Sequence, residues 1–182
     1  MAGRRGCEVR GVCDLKGAKV CLWPGGIMRH LAWVFLALFF VVSPCAAGSP
    51  AKPGPKDKCP VCGMFVNKYP EWLAQIRLKD SKIFFFDGAK DMFKFLSQPK
   101  KYIPDTDPKD VREIYVTDYY SLESIDGKTA FYVIGSNVYG PMGKELIPFR
   151  KEEDAKEFLR DHGGKRIVRF QEVTPDILRE LD

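Results

Sequence analysis

Residues 83–96, IFFFDGAKDMFKFL, decide the fold because in them a strand passes directly into a helix. The apolar run at the start follows a second apolar run at 72–78 across a polar turn, and this pattern predicts a β-hairpin. Apolar residues then recur at the i, i+3, i+4 and i+7 spacing of a helix until Pro99 ends it. A strand predicted at 113–119 completes a β-β-α-β unit.

The second half of the chain shows the same order of elements. Strands are predicted at 130–134 and 145–149, a helix at 150–161, a closing strand at 166–173 and a short helix from Pro175. Residues 86–96 align without gaps against residues 149–159, and both segments end in Phe-Leu. The pattern predicts an α+β fold in which two tandem β-β-α-β units, residues 58–120 and 121–182, pack as one compact body.

The start of the chain is typical of an exported protein. Residues 31–42, LAWVFLALFFVV, form an apolar run that is shorter than the roughly 20 residues of a membrane-spanning helix, and small residues follow it. We expect a signal peptide at 28–47 and a flexible leader at 48–57. Residues 1–27 are then a start-site artefact, so their cysteines carry no functional argument. A lipid anchor at Cys45 is the alternative to soluble export.

The charge of the exported part argues against a nucleic-acid partner. From Gly48 onward there are 23 Lys and Arg residues against 22 Asp and Glu residues, so the +5 of the whole chain falls to +1. A nucleic-acid surface needs clustered positive charge with interleaved aromatic residues, and this part of the sequence shows no such cluster.

The candidate chemistry lies in residues 58–64, KCPVCGM. Cys59 and Cys62 supply two thiols and Met64 a thioether, and soft sulfur ligands of this kind select Cu(I) over magnesium or calcium. Gly63 lets the backbone turn tightly between the second thiol and the thioether. We therefore predict a Cu(I) site near the mature N-terminus.

Three other interpretations of the cysteine pair stay open. Half of a zinc ribbon would need a second Cys or His pair, which the exported part lacks. A thioredoxin-like redox pair would precede a helix within a βαβ pattern, which is not predicted here. A small structural disulfide is compatible with an oxidising compartment. With a single histidine after Gly48 and no nucleophile-base pattern, we do not expect an enzyme.

Three further residues have a predicted role. Met142 lies in a glycine-rich loop, YGPMG at 139–143, and is either a metal ligand or a loop anchor. Met92 falls on the apolar stripe of the first helix and is expected in the core. Asp87 precedes that helix and is predicted to be its N-cap.

Taken together, the CxxCGM motif, the segment FFFDGAKDMFKFL at 84–96 and the segment YGPMGKELIPF at 139–149 resemble the NosL family. The resemblance implies an extracytoplasmic, often lipid-anchored Cu(I) metallochaperone that passes copper to maturation proteins at the membrane, with nitrous oxide reductase as one candidate client. It also implies a fold similar in topology to organomercurial lyase. Carried over to this sequence, Cys62 and Met64 match the copper ligands and Met142 a handover ligand, while Cys59 goes beyond the minimal pattern.

Overall fold

The computed structural model describes residues 48–182, so the predicted artefact at 1–27 and the predicted signal peptide at 28–47 lie outside the described residues. Within the described range, no helix has the length and apolar character needed to cross a membrane. The leader at 48–57 contains no helix or strand, but it is hydrogen-bonded to the first sheet. Arg77 donates to the carbonyl of Ser49 over 2.6 Å, and Ala51 N donates to Gln75 Oε1 over 3.0 Å.

The first sheet is built on the predicted hairpin. Its strands in chain order are β1 (Ala74–Leu78), β2 (Ile83–Phe86), β3 (Val111–Thr117) and β4 (Ser124–Asp126). They lie side by side in the order β2-β1-β3-β4, and all neighbours are antiparallel. Strand β1 begins two residues later than the predicted run because Pro70–Trp72 forms a 3₁₀ turn. Proline favours this start, since its φ is already close to the helical value.

Two helices and a turn connect β2 to β3. Helix α1 (Ala89–Ser97) follows the second strand directly, and helix α2 (Pro99–Tyr102) and a 3₁₀ turn (Pro108–Asp110) lead back to the sheet. The side chain of Phe95 packs against Phe84 and Phe86, with ring centroids 5.2 and 5.4 Å apart. The predicted core position of Met92 is confirmed, because its side chain is fully buried.

The second sheet has three strands, namely β5 (Phe131–Ile134), β8 (Ile147–Phe149) and β9 (Arg166–Arg169), which lie side by side in the order β8-β5-β9. A separate two-stranded hairpin consists of β6 (Tyr139–Gly140) and β7 (Gly143–Lys144). Helix α3 (Glu152–Asp161) packs on this sheet, and helix α4 (Pro175–Glu180) ends the chain's ordered elements. Strand β9 is shorter than predicted because Phe170–Glu172 forms a 3₁₀ turn.

The α+β class is confirmed by this arrangement. In the first sheet β1 lies between β2 and β3, and in the second sheet β5 lies between β8 and β9. Each of these inner strands thus pairs on one side with the strand before the helix and on the other side with the strand after it. The interpretation of the two halves as tandem copies of one unit, and the likeness to organomercurial lyase, stay predictions. The two sheets share a core across helix α1, where Phe93 meets Tyr132 edge to face at 5.1 Å.

Helix α1 is also held by polar groups from the second half of the chain. The carboxylate of Glu145 is buried at the helix N-terminus, where its Oε1 accepts hydrogen bonds from the backbone N–H groups of Lys90 and Leu146. The buried ammonium of Lys90 donates to the carbonyls of Met142, at 2.8 Å, and Leu181, at 3.3 Å. These bonds fix the β6-β7 hairpin and the chain's end against the first helix.

The approach of Glu145 to the helix requires glycine at position 88. A Cβ added to Gly88 would meet Oε2 of Glu145 and lie 3.0 Å from its Cδ, closer than real side chains pack. The φ of Gly88 is −176°, an extended value that any residue adopts, so the requirement comes from space alone.

Burial raises the pKa of Glu145 to about 8 from an ordinary value of 4.5. Because the folded protein holds this proton more tightly than the unfolded chain, the contribution of Glu145 to stability is present below about 4.5 and is lost as the pH rises through about 8. Glu145→Gln cannot ionise, so its free energy of unfolding should not fall in this way. Between about pH 5 and about pH 9 we expect the stability of this variant relative to the parent to rise by roughly 1 kcal/mol or more. Urea unfolding at both pH values measures this difference, and parallel pH profiles for the two proteins would contradict it.

Candidate metal centre

The cysteine motif forms a tight turn that directs both thiols inward. Gly63 N donates to the carbonyl of Cys59, and Cys59 N donates to the carbonyl of Met64, each over 2.9 Å. Gly63 has a φ of +78°, in the left-handed region that glycine adopts without steric cost. An isolated bridge between Lys58 and Phe65 closes the base of the turn. The local sequence therefore brings Cys59 and Cys62 to one side of a small loop.

Two aspartates meet these thiols from the junction of β2 and α1. Cys59 Sγ donates to Asp91 Oδ2 over 3.4 Å, and Cys62 Sγ donates to Asp87 Oδ1 over 3.2 Å. One ligand atom from each of the four residues lies within 4.8 Å of the other three. The aspartates are four residues apart, a spacing that places side chains on one face where a helix begins. We call these four residues the Cys2Asp2 cluster.

The cluster is largely removed from water. Cys59 and both aspartates are buried, and Cys62 is half-buried. Burial, which disfavours the charged thiolate, raises the pKa of the Cys59 thiol and raises that of Cys62 to about 12; the carboxylates of Asp91 and Asp87 add to these shifts. Burial also raises the pKa of Asp91. In the metal-free protein both thiols are therefore protonated.

One atom of the cluster lacks a partner. Asp87 Oδ2 is buried, and no group in residues 48–182 donates a hydrogen bond to it. A buried carboxylate oxygen without a donor costs free energy, which a bound cation would recover. The N-terminus of α1 also favours negative charge at this position. The two thiols, the two carboxylates and the unpartnered oxygen together fit a metal ion.

The structure brings together two of the four residues proposed from sequence. Cys59 and Cys62 are in the cluster. Met64 is half-buried and its carbonyl belongs to the cysteine turn. Met142 lies at the turn of the β6-β7 hairpin with 43% of its surface exposed, and its carbonyl is bound by Lys90, the residue before Asp91. The ligand roles of both methionines stay predictions.

The prediction that Asp87 caps helix α1 is wrong. Gly88 occupies the N-cap position without a side-chain cap, and Asp87 instead accepts the hydrogen bond of Cys62. Sequence reasoning missed both aspartates as partners of the cysteines. The available signal was DGAKD at 87–91, in which two acids stand four residues apart at the start of an apolar helix.

The sequence model of the NosL family matches residues 50–178, which is most of the chain. The chain belongs to the NosL family. A curated relative, the copper-binding lipoprotein NosL of Stutzerimonas stutzeri, is 30% identical over 132 residues, or 68% of this chain and 65% of the relative. This NosL chain thus matches a little less than two thirds of that relative's length.

Two solved structures resemble this NosL protein. The crystal structure of the copper chaperone NosL from Shewanella denitrificans is 28% identical, with a TM-score of 0.60 over 70% of this chain and 97% of that one. The solution structure of apo-NosL from Achromobacter cycloclastes is 26% identical, with a TM-score of 0.43 over 58% of this chain and 87% of that one. The first of these shows that the chain has the fold of a NosL protein.

The raised thiol pKa predicts slow alkylation of Cys62 in the reduced, metal-free protein. Only the thiolate reacts, so at about pH 8 the modification of Cys62 by iodoacetamide is expected to be on the order of a hundredfold slower than that of a free cysteine. Asp87→Asn removes a carboxylate that raises this pKa and should accelerate the reaction. Mass spectrometry of the alkylated peptide gives the rate.

The matched control is Asp105→Asn, which changes an exposed aspartate outside the cluster. In this variant Cys62 should be alkylated at the same rate as in the parent. A parent rate equal to that of a free cysteine would contradict the buried thiol geometry.

Proposed function

We propose that this NosL protein is an extracytoplasmic Cu(I) carrier that binds the ion at Cys59 and Cys62 and delivers it to a copper-enzyme maturation system. The observation that carries the proposal is the convergence of two free thiols on a buried, incompletely hydrogen-bonded carboxylate pair. The names of the relatives, a copper-binding lipoprotein and a copper chaperone, support copper as the cargo.

Binding would follow from the contacts of the metal-free thiols. Each thiol already donates its hydrogen to an aspartate, Cys59 to Asp91 and Cys62 to Asp87. When Cu(I) arrives, two thiolates replace two thiols, and the released protons have carboxylate oxygens as their nearest acceptors. Since protons compete with the ion for sulfur, the affinity for copper rises with pH.

Release would begin at the more exposed sulfur. Cys59 is 1% exposed and anchors the ion, whereas Cys62 is half-buried and within reach of an incoming ligand. Met64 is proposed as a third, weaker ligand next to Cys62. Met142, on a hairpin tied to α1 through Lys90, is proposed as the thioether that a partner meets first during exchange.

The cellular setting is part of the proposal. The apolar run at 31–42 would direct export, and the naming of the Stutzerimonas stutzeri relative as a lipoprotein supports an anchor at Cys45. The partners would then be maturation proteins at the membrane, with nitrous oxide reductase as one candidate client. No nucleic-acid partner is proposed. The two halves would be tandem β-β-α-β units with a topology like that of organomercurial lyase.

The thiol-disulfide oxidoreductase alternative conflicts with the electrostatics of the cysteines. A redox-active pair needs a thiol whose pKa lies below its ordinary value, because the thiolate is the nucleophile. Here burial and the two aspartates raise the pKa of both thiols. The inert-disulfide alternative leaves Asp87 and Asp91 buried without the thiol donors that they have in this structure.

The test of copper binding is an anaerobic Cu(I) titration of the reduced protein against a chromophoric chelator. Cys59→Ser and Cys62→Ser should each lower the affinity on the order of a hundredfold or more, because a hydroxyl is a poor ligand for a soft ion. Met64→Leu should lower it less. Met92→Leu, which changes a thioether in the core, serves as the control and should match the parent.

A parent that fails to compete for Cu(I), or serine variants that bind like the parent, would refute the proposal. An insulin reduction assay on the same samples separates the redox alternative, which predicts turnover.

The handover role of Met142 is tested by kinetics. Met142→Leu keeps the shape of an exposed side chain but removes the sulfur, so Cu(I) affinity should stay within about threefold of the parent while transfer to a competing thiol-containing acceptor slows. Stopped-flow transfer under anaerobic conditions gives the rate. Equal transfer rates would remove Met142 from the pathway, and a large loss of affinity would make it a ligand of the resting site.

A further inference from the structure

The loop between β3 and β4, residues 118–123, presents two apolar side chains to solvent. Leu122 has 62% of its surface exposed and Tyr120 has 45%. A single exposed leucine is ordinary in a folded protein. The backbone of this leucine is not ordinary, because its φ of +58° lies in the left-handed region, which residues other than glycine, asparagine and aspartate rarely adopt.

A fixed hydrogen-bond network imposes this conformation on Leu122. Oδ1 of the buried Asp118 accepts from the backbone N–H groups of Ser121, over 2.8 Å, and Tyr120, over 3.2 Å. Its Oδ2 accepts from the backbone N–H of Arg150 over 2.6 Å. Leu122 N in turn donates to the carbonyl of Asp118 over 2.9 Å. Asparagine would adopt the same φ with less strain, so the loop carries its leucine at a cost in stability.

The ring of Tyr120 is held in one position beside this leucine in the sequence. It packs edge to face against Phe149 and Phe158, with ring centroids 5.4 and 6.3 Å apart. We call Tyr120 and Leu122 the apolar knob. Because the ring and the loop are already ordered, burying the knob against a partner would cost little further conformational entropy.

Negative charge borders the apolar knob on the side of helix α3. Three acidic residues of this helix, spaced three and four positions apart on one face, contribute to it: Asp154, Glu157 and Asp161. Burial raises the pKa of the Tyr120 hydroxyl, and these nearby carboxylates raise it further. Arg150, the cation beside the loop, is already paired with Glu123 over 2.7 Å. A complementary surface would therefore be basic.

We propose that the apolar knob docks into an apolar pocket of a partner protein whose rim carries lysine and arginine side chains. Such a pocket would remove Leu122 and the exposed part of Tyr120 from water, while its rim would pair with the acids of α3. The same acids would be repelled by an anionic membrane surface. A symmetric contact with a second copy would bring two acidic faces together. The inference uses no residue of the Cys2Asp2 cluster and does not require that Cu(I) binds there.

The first test identifies what touches the knob. The full chain is produced in its native host with Leu122 replaced by the photoreactive residue p-benzoylphenylalanine, and the cells are irradiated before lysis. We expect one protein adduct whose cross-linked peptide combines apolar residues with lysine or arginine. The same replacement at Lys100, an exposed position on helix α2, should not give this adduct. An adduct to lipid, to a second copy of the chain or to an acidic peptide, or no adduct, would overturn the proposal.

Binding kinetics with the purified partner then separate the apolar and the charged contributions. Leu122→Asn should weaken binding by roughly tenfold or more, mainly through faster dissociation, because the interface loses buried apolar area. Glu157→Gln combined with Asp161→Asn should slow association severalfold at low salt and much less at high salt. The controls are Tyr139→Asn, which changes an exposed aromatic residue of the β6-β7 hairpin, and Asp105→Asn; both should bind like the parent.

Thermal unfolding of the free protein tests whether Leu122 has a structural role instead. The midpoint for Leu122→Asn should equal or exceed that of the parent, because the substitution relieves the strained φ. Its Cu(I) affinity should match the parent. A lower midpoint, or unchanged affinity for the partner, would overturn the inference. A parent that docks through the knob but fails to bind Cu(I) would refute the copper function and support this inference.

Discussion

Two thiol-to-carboxylate contacts, Cys59 with Asp91 and Cys62 with Asp87, hold the cysteine turn against the start of helix α1, and the candidate metal centre depends on them. They join segments that are 32 and 25 residues apart in sequence. The same helix end receives Glu145 from the second half of the chain. Three buried carboxyl groups thus converge at the start of helix α1, where the first backbone N–H groups have no partners within the helix.

The part of the fold that comes from local patterns could be predicted from sequence. The hairpin and helix α1 follow from the spacing of apolar residues, which is a property of neighbouring positions. The ends of strands β1 and β9 were misplaced because short 3₁₀ turns interrupt apolar runs that read as continuous strand. Pro70 was a local signal for the first of these turns, whereas Phe170–Glu172 contains no proline or glycine that would mark a turn.

Of the candidate site, the two cysteines could be predicted from sequence and the two aspartates could not. Two cysteines three residues apart are a local signal, and so their proximity followed from sequence. Asp87 and Asp91 each have an ordinary local explanation, as a helix cap and as a surface charge, and only the folded chain shows that both face the thiols. The bond from Lys90 to the Met142 carbonyl is likewise a contact between distant segments that no spacing rule reveals.

The side chain of Glu145 restricts which residues can occupy positions 88 and 140. Its carboxylate fills the space beside Gly88, and its side chain also lies against Gly140, where an added Cβ would be 3.1 Å from its Cγ. A larger residue at Gly88 would fit only if the side chain at 145 were smaller or displaced, and a larger residue at Gly140 would require Glu145 to shift by a few tenths of an ångström. Substitutions at these positions should therefore have occurred together during divergence of the family. A substitution at one of them without the others would mark a relative in which the β6-β7 hairpin packs against helix α1 differently.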